Sequence, residues 1–222
     1  MGLIIAVAII GLWLIHLIYI LTLLSADYTL IKFYLHVIVQ AYLYTGLFIT
    51  GHDAMHGTVT KHKIINRIVG TVAIFLYAGL SYNKLRKNHF KHHKYPGTGF
   101  DPDFNVGSQN FIFWWGKFMI RYATFMQILV MALAYNILKI WVGEINLWLF
   151  WILPAFLSSL QLFFFGTYLP HKQPHTHEMD PHKSRTQKKN HIFAMLSCYF
   201  FGYHFEHHNS PHTPWWKLYR LK

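Results

Sequence analysis

The chain has one cysteine, Cys198, in 222 residues. That excludes an intramolecular disulfide and any cysteine-built zinc or iron–sulfur site, and it leaves histidine as the ligand for a metal. Acidic residues are also scarce: eight Asp and Glu stand against twenty Lys and Arg, for a formal charge of +12. A surplus of that size would suit nucleic acid only on a soluble domain. This chain is 54% hydrophobic and 13% charged, so no nucleic acid is expected and anionic membrane lipid is the simpler partner. No flavin, haem or nicotinamide fingerprint, internal repeat or low-complexity linker is present.

What the chain does have is long apolar runs. Residues 3–24 (LIIAVAIIGLWLIHLIYILTLL) carry no formal charge, and at roughly 1.5 Å per residue they suffice to cross about 30 Å of hydrocarbon. A basic start and a small-residue cleavage site are missing, so the segment reads as an anchor and not a cleaved leader. Further apolar stretches occupy residues 32–51, 64–80, 125–142 and 147–169, with a shorter one from Ile192 to Tyr203.

Seventeen histidines form the second positive feature. Eight fall in three clusters beside the apolar runs: His52-Asp-Ala-Met-His56, His89-Phe-Lys-His92-His93 and His204-Phe-Glu-His207-His208. Residues three and four apart share a helix face, so each cluster aims several imidazoles at one region. A catalytic zinc takes about three protein ligands and a structural one about four. Eight converging histidines, with His171 of Tyr168-Leu-Pro-His171 as a ninth, therefore imply two metals. Imidazole suits several transition metals, but two iron ions can activate O2 together, whereas zinc has no redox chemistry.

One shared site constrains the topology. All three clusters must lie on one side of the bilayer, so an even number of crossings separates each pair. Only 64–80 lies between the first two, so it is expected to be interfacial or re-entrant. Two crossings, 125–142 and 147–169, separate the second from the third, joined by a turn at Gly143-Glu-Ile-Asn146. The expected fold is an all-α integral membrane protein, a single domain over residues 1–222. It has four transmembrane helices, one or more interfacial helices and a cytoplasmic histidine-rich di-iron cap. Eighteen of the twenty Lys and Arg fall on the histidine side, which by the positive-inside tendency makes the site and both termini cytoplasmic.

The pattern HxxxH, HxxHH, HxxHH on such a scaffold resembles the membrane fatty acid desaturase and hydroxylase superfamily. Within it, GLFITGHDAMHGTV, NHFKHHKYPGTGFDPDF, LFFFGTYLPHK and GYHFEHHNSPHTPWWKL resemble the bacterial type of β-carotene 4-ketolases. The likeness runs from about Tyr42 onward. It implies O2-dependent oxidation of carbon 4 of a β-ionone ring to a ketone, giving echinenone and canthaxanthin from β-carotene by two successive hydroxylations and loss of water. The implied di-iron ligands are His52, His56, His89, His92, His93, His204, His207 and His208, with His171 the ninth. Electrons would come from an external donor such as ferredoxin. The competing readings are a β-ring hydroxylase, a fatty-acyl desaturase or hydroxylase and, in a different class, a metal transporter or a bis-histidine cytochrome.

Other polar residues have narrower expected roles. Asp53, Asp101 and Asp103 flank the clusters and could accept the free N–H of a ligand imidazole, although Asp101-Pro-Asp103 equally suits a turn or cap. Glu206 points away from its histidine neighbours and is expected to pair with a lysine or a group behind the ligands, and His212 is a further candidate behind them. His16 and His36 have no helical histidine partner and are read as neutral packed side chains. His175, His177, His182 and His191 are read as solvent-facing loop residues.

Overall fold

A computed structural model describes all residues, 1–222, as helices and connections with no strand. The first two helices are α1 (Gly2–Thr22) and α2 (Ile31–Met55). Between them Asp27 accepts hydrogen bonds from the backbone and hydroxyl of Thr29, closing a polar turn at one end of the molecule. Trp13 meets Tyr44 edge-on at 5.3 Å. Outward, Ile4, Val7, Leu12, Ile15 and Ile18 of α1 and Leu35 and Ile38 of α2 are exposed. Apolar side chains exposed on so many turns are what a helix facing lipid presents. The inner face also carries polar side chains: His16 sits 3.1 Å from His36 and 2.5 Å from Gln40. The two histidines find their partners across the helix pair, not along one helix.

Helix α3 (Lys63–Ala78) runs back along α2. Its Ile74 lies against Gly51, and Tyr77 packs on Tyr44 and Phe48. Gly79, with φ +65, lets the chain leave α3 in the left-handed conformation that other residues adopt at a cost. Ser81 then caps α4 (Tyr82–Lys94) through the Lys84 amide. The axes differ by 101°. Helix α3 therefore reaches the level of Tyr44 and α4 returns to that of His52, a bend that suits either a broken span or a re-entrant loop.

A second bent pair follows. Helix α5 (Phe111–Tyr122) is capped by Asn110, and α6 (Phe125–Leu138) by Thr124, with 90° between them. Ala123 and Thr124 are extended, and the Thr124 side chain accepts the Gln127 N–H that starts the new helix. No residue of α6 is buried. Of the expected 125–142 span only residues 125–138 are helical, about 21 Å at 1.5 Å per residue. The reversal lies at Lys139–Gly143, and Glu144–Asn146, expected to form the turn, instead opens the next helix.

Helix α7 (Glu144–His171) is continuous, but residues Leu147–Ile152 and Phe164–Tyr168 are π-helical. At its start Asn146 donates to Leu24 O, 2.8 Å away, so this end joins the distal turn between α1 and α2. At its other end it delivers His171. Helices α8 (His191–Cys198) and α9 (His204–Asn209) complete the histidine end. Between them Tyr199 and Phe200 both take positive φ, a rare backbone state for residues with side chains. The N-terminus joins this end too, because Gly2 lies against Val59 O and Trp216. Three helices are long and apolar enough to cross a membrane, or up to five if each bent pair counts as one.

Candidate metal centre

The last turn of α2 carries His52 and His56, α4 carries His89, His92 and His93, α7 ends on His171, and α9 carries His204, His207 and His208. All nine converge. Their donor atoms fall into two sets of four, each mutually within 4.8 Å: His52, His56, His89 and His207, and His92, His171, His204 and His208. His93 lies between the sets, its Nε2 3.0 Å from His207 Nε2 and its ring stacked on His208 at 4.2 Å.

Several ring nitrogens approach one another closely, and two of the separations match nitrogens that share one ion. His56 and His89 approach through their Nε2 atoms at 2.6 Å, His92 and His208 at 3.1 Å, and His208 and His204 at 3.1 Å. Two nitrogens bound about 2.1 Å from one ion stand roughly 3.0–3.4 Å apart, depending on the bond angle. Both ring nitrogens of His52, Nε2 of His171 and Nδ1 of His204 and His208 are buried without a partner. Buried polar atoms normally have partners. Two clusters of imidazoles with buried, unpartnered ring nitrogens form donor sets that could each hold a metal ion.

Groups behind the imidazoles set their orientation. Asp101 places both carboxylate oxygens 3.0 Å from His92 Nδ1, and is itself held by the amides of Gly97 and Asp103. His171 Nδ1 donates to Lys183 O at 2.9 Å. In both rings the N–H is thereby assigned to Nδ1, leaving the Nε2 lone pair directed into the cluster. Burial, reinforced by neighbouring histidines, holds His204, His207 and His208 well below the ordinary imidazole range, so they stay neutral and able to donate. Asp53 accepts the Trp215 amide at 3.0 Å and sits 3.5 Å from His52 Nδ1, tying the C-terminal segment to the end of α2.

Asp103 contacts Tyr122 OH instead of a ligand imidazole. Burial raises its carboxyl to about 6. Glu206 pairs with Lys222 at 3.0 Å and Thr186 at 2.6 Å, the lysine partner expected of it. His212 is exposed and belongs to neither set.

The solvent-facing reading of the loop histidines is corrected for three of four. His175 Nε2 bonds His171 O at 2.9 Å, His182 lies 5.5 Å from the His208 ring, and His191 meets Tyr203 OH at 3.0 Å. The segment after α7 is folded over the cluster by Arg185, which donates to Pro174 O and Lys172 O. Only His177 is fully in solvent.

Sequence reasoning named no apolar lining residue of the cleft that ends on His52 and His89 of one set and His92 and His204 of the other. Phe48, Phe118, Phe163 and Phe201 line it. Residues beside the breaks of both bent pairs, Ala78 and Leu80 and then Ala123 and Gln127, line it as well. The second π-helical segment of α7 supplies Gly166 and Thr167, and Gly166 admits the Phe201 ring in direct contact. Such contacts join residues far apart in the chain, and no local pattern announces them.

A family model described as fatty acid desaturase matches residues 30–142 and 108–222. A β-carotene ketolase of Paracoccus sp. (strain PC1) is 39% identical over 184 residues, 82% of this chain and 75% of that protein. A zeaxanthin 4-ketolase of Chlamydomonas reinhardtii is 41% identical over 182 residues, 80% of this chain, which spans 41% of the algal protein's length. A chloroplastic omega-6 fatty acid desaturase of Brassica napus matches over 49 residues at 43% identity, 22% of this chain and 11% of that protein. No solved structure matches. With the family match extending from residue 30 to the C-terminus and a bacterial relative aligned over most of both chains, this chain belongs to the fatty acid desaturase family.

Proposed function

We propose that the chain is a membrane oxygenase that converts carbon 4 of the β-ionone rings of β-carotene to a ketone at a non-haem di-iron centre. One observation carries this reading: an apolar cleft ends on histidines drawn from both four-donor sets. The named ketolases aligned with about four-fifths of the chain point to the same ring chemistry.

One iron would be held by His52, His56, His89 and His207 and the other by His92, His171, His204 and His208, with His93 between them. Iron bound there supplies O2-activating redox chemistry. The protein's part is to bind, orient and keep dry. The phenylalanine-lined cleft takes an apolar ring and excludes water, and an allylic carbon such as C4 carries a weakened C–H bond. Holding the ring in one pose directs a second oxygenation to the same carbon, whose geminal diol loses water to leave the ketone.

The membrane course we propose has α1, α2, α6 with its following turn and α7 as four crossings, and α3–α4 as a re-entrant pair. Both termini and the histidines then face the cytoplasm. The excess of Lys and Arg on that side supports this orientation. Carotenoid enters from lipid through the gap between the two bends, beside α6.

Expression in a β-carotene-producing bacterium tests the reading, with echinenone and canthaxanthin as expected products. Zeaxanthin alone would identify a β-ring hydroxylase, and unchanged β-carotene with altered lipids an acyl-chain enzyme. A bis-histidine cytochrome is disfavoured because the ring nitrogens of His16 and His36, which face each other across α1 and α2, stand 3.1 Å apart, too close to take an iron between them.

A further inference from the structure

The oxygenase reading demands reducing equivalents that no group on this chain provides. Each round consumes one O2, two electrons and two protons and yields one hydroxyl and one water, so a one-electron carrier must dock twice per round.

Helix α4 has two faces. Tyr82, Leu85 and His92 are buried, with His89 and His93 beside them. On the opposite face Arg86, Lys87, Phe90, Lys91 and Lys94 form one exposed stripe. None of these cations takes part in an ion pair. Of the chain's eight acids, Asp53 and Asp101 are buried at the cluster, Glu206 is paired with Lys222, Glu144 sits at the distal end, and none forms an ion pair with this stripe.

Within this basic stripe Phe90 is 41% exposed. The Arg86 guanidinium stacks on its ring at 4.9 Å. The centroid of the Phe90 ring lies 5.6 Å from that of His56 and 6.2 Å from that of His89. Both histidines belong to the same four-donor set. One aromatic ring therefore lies between solvent and the buried His56, within a patch whose cations have no ion-pair partner. Electron transfer falls steeply with distance, so this is where a donor would gain most by docking. An exposed aromatic with a charged rim also suits a transient complex, of which redox encounters bury on the order of 1,000 Å².

We infer that the Arg86–Lys94 face of α4 is the docking surface for an acidic one-electron carrier protein of the ferredoxin class, with Phe90 at its centre. This rests on the oxygenase reading for its purpose, but not for its test. Anionic lipid headgroups could also meet these cations, yet lipid gives no reason for an exposed ring to bridge the patch to His56.

The test uses the full chain in nanodiscs of zwitterionic lipid, with binding of a purified acidic [2Fe–2S] ferredoxin measured by surface plasmon resonance. The wild type should bind, more weakly as salt is raised, since charges are screened beyond about 8 Å at physiological ionic strength. The double variant Lys87→Glu/Lys91→Glu should lose about tenfold in affinity. It should keep its metal content, its flotation with anionic vesicles and its turnover with a diffusible small-molecule reductant. Absence of wild-type binding at low salt, or unchanged ferredoxin affinity in the variant, overturns the proposal. So does a variant that loses vesicle flotation while retaining ferredoxin, which would assign the patch to lipid. Because binding is read without turnover, failure of ketolation in the bacterial assay leaves this result independent.

Discussion

Asp101 holds His92 from behind with both carboxylate oxygens at 3.0 Å, while the far nitrogen of the same ring lies 3.1 Å from His208. Burial alone would raise the Asp101 carboxyl, but His92 and the amides of Asp103 and Gly97 bring it below the usual carboxylate range, so it remains an anion. An anion there fixes the His92 tautomer and increases the ring's basicity toward metal. Asp101→Ala should lower metal affinity by about 10- to 100-fold, with Asp101→Asn intermediate because an amide oxygen still accepts the N–H. Competition against a graded chelator measures this. Wild-type retention in the alanine variant would reduce Asp101 to a loop cap.

The two donor sets predict unequal consequences for histidines close in sequence. His207 lies in one set and its ring is 4.8 Å from that of His93, whereas His212 is exposed and in neither set. His207→Ala and His56→Ala should each abolish ketone formation and lower the iron content below the expected two per chain, with membrane insertion intact. His212→Ala should keep most of both. Carotenoid chromatography with elemental analysis of purified protein separates these outcomes. Turnover surviving in either ligand variant would contradict the assignment.

Gly166 matters for what it lacks. A Cβ there would collide with the Phe201 ring, which packs 5.0 Å from His52 and 5.1 Å from His204 and lines the cleft. Gly166→Ala must displace Phe201, at a cost of about 1–3 kcal/mol typical of overpacking. Turnover should fall with stability, and Phe201→Leu in the same chain should recover part of both. An unchanged thermal midpoint in Gly166→Ala would mean that the ring moves freely.

The histidine convergence was legible because three local spacings each placed imidazoles on one helix face, and their number exceeded what one ion binds. Crossing parity led to the expectation that 64–80 is not an ordinary span, and the chain does bend after it, at Gly79 and Ser81. The length of α6 was not legible, because apolar residues continue to Val142 while the helix stops at Leu138. Nor were the π-helical segment carrying Gly166, the contact of Tyr122 with Asp103 or the approach of His182 to His208. Each depends on a neighbour many residues away. His175 and His191 misled for the same reason: a polar loop reads as solvated until something covers it.

Acid should destabilise the metal-free protein in a definite window. Burial keeps His204, His207 and His208 well below their ordinary value of 6.5 in the fold, while the unfolded chain takes up protons near that value. Between the two the unfolded state binds more protons, so stability rises with pH across the window and levels off above about 6.5. Asp101, lowered in the fold, adds a loss in the same direction at more acidic pH, while Asp103, raised to about 6, offsets part of the histidine effect. Chelator-stripped protein in detergent should therefore melt several degrees lower at pH 5 than at pH 7.5, followed by tryptophan fluorescence. His204→Gln should shrink the difference, since glutamine takes up no proton in either state. A melting temperature indifferent to pH would mean that these imidazoles already accept protons in the folded chain, and their lone pairs would not be free for metal.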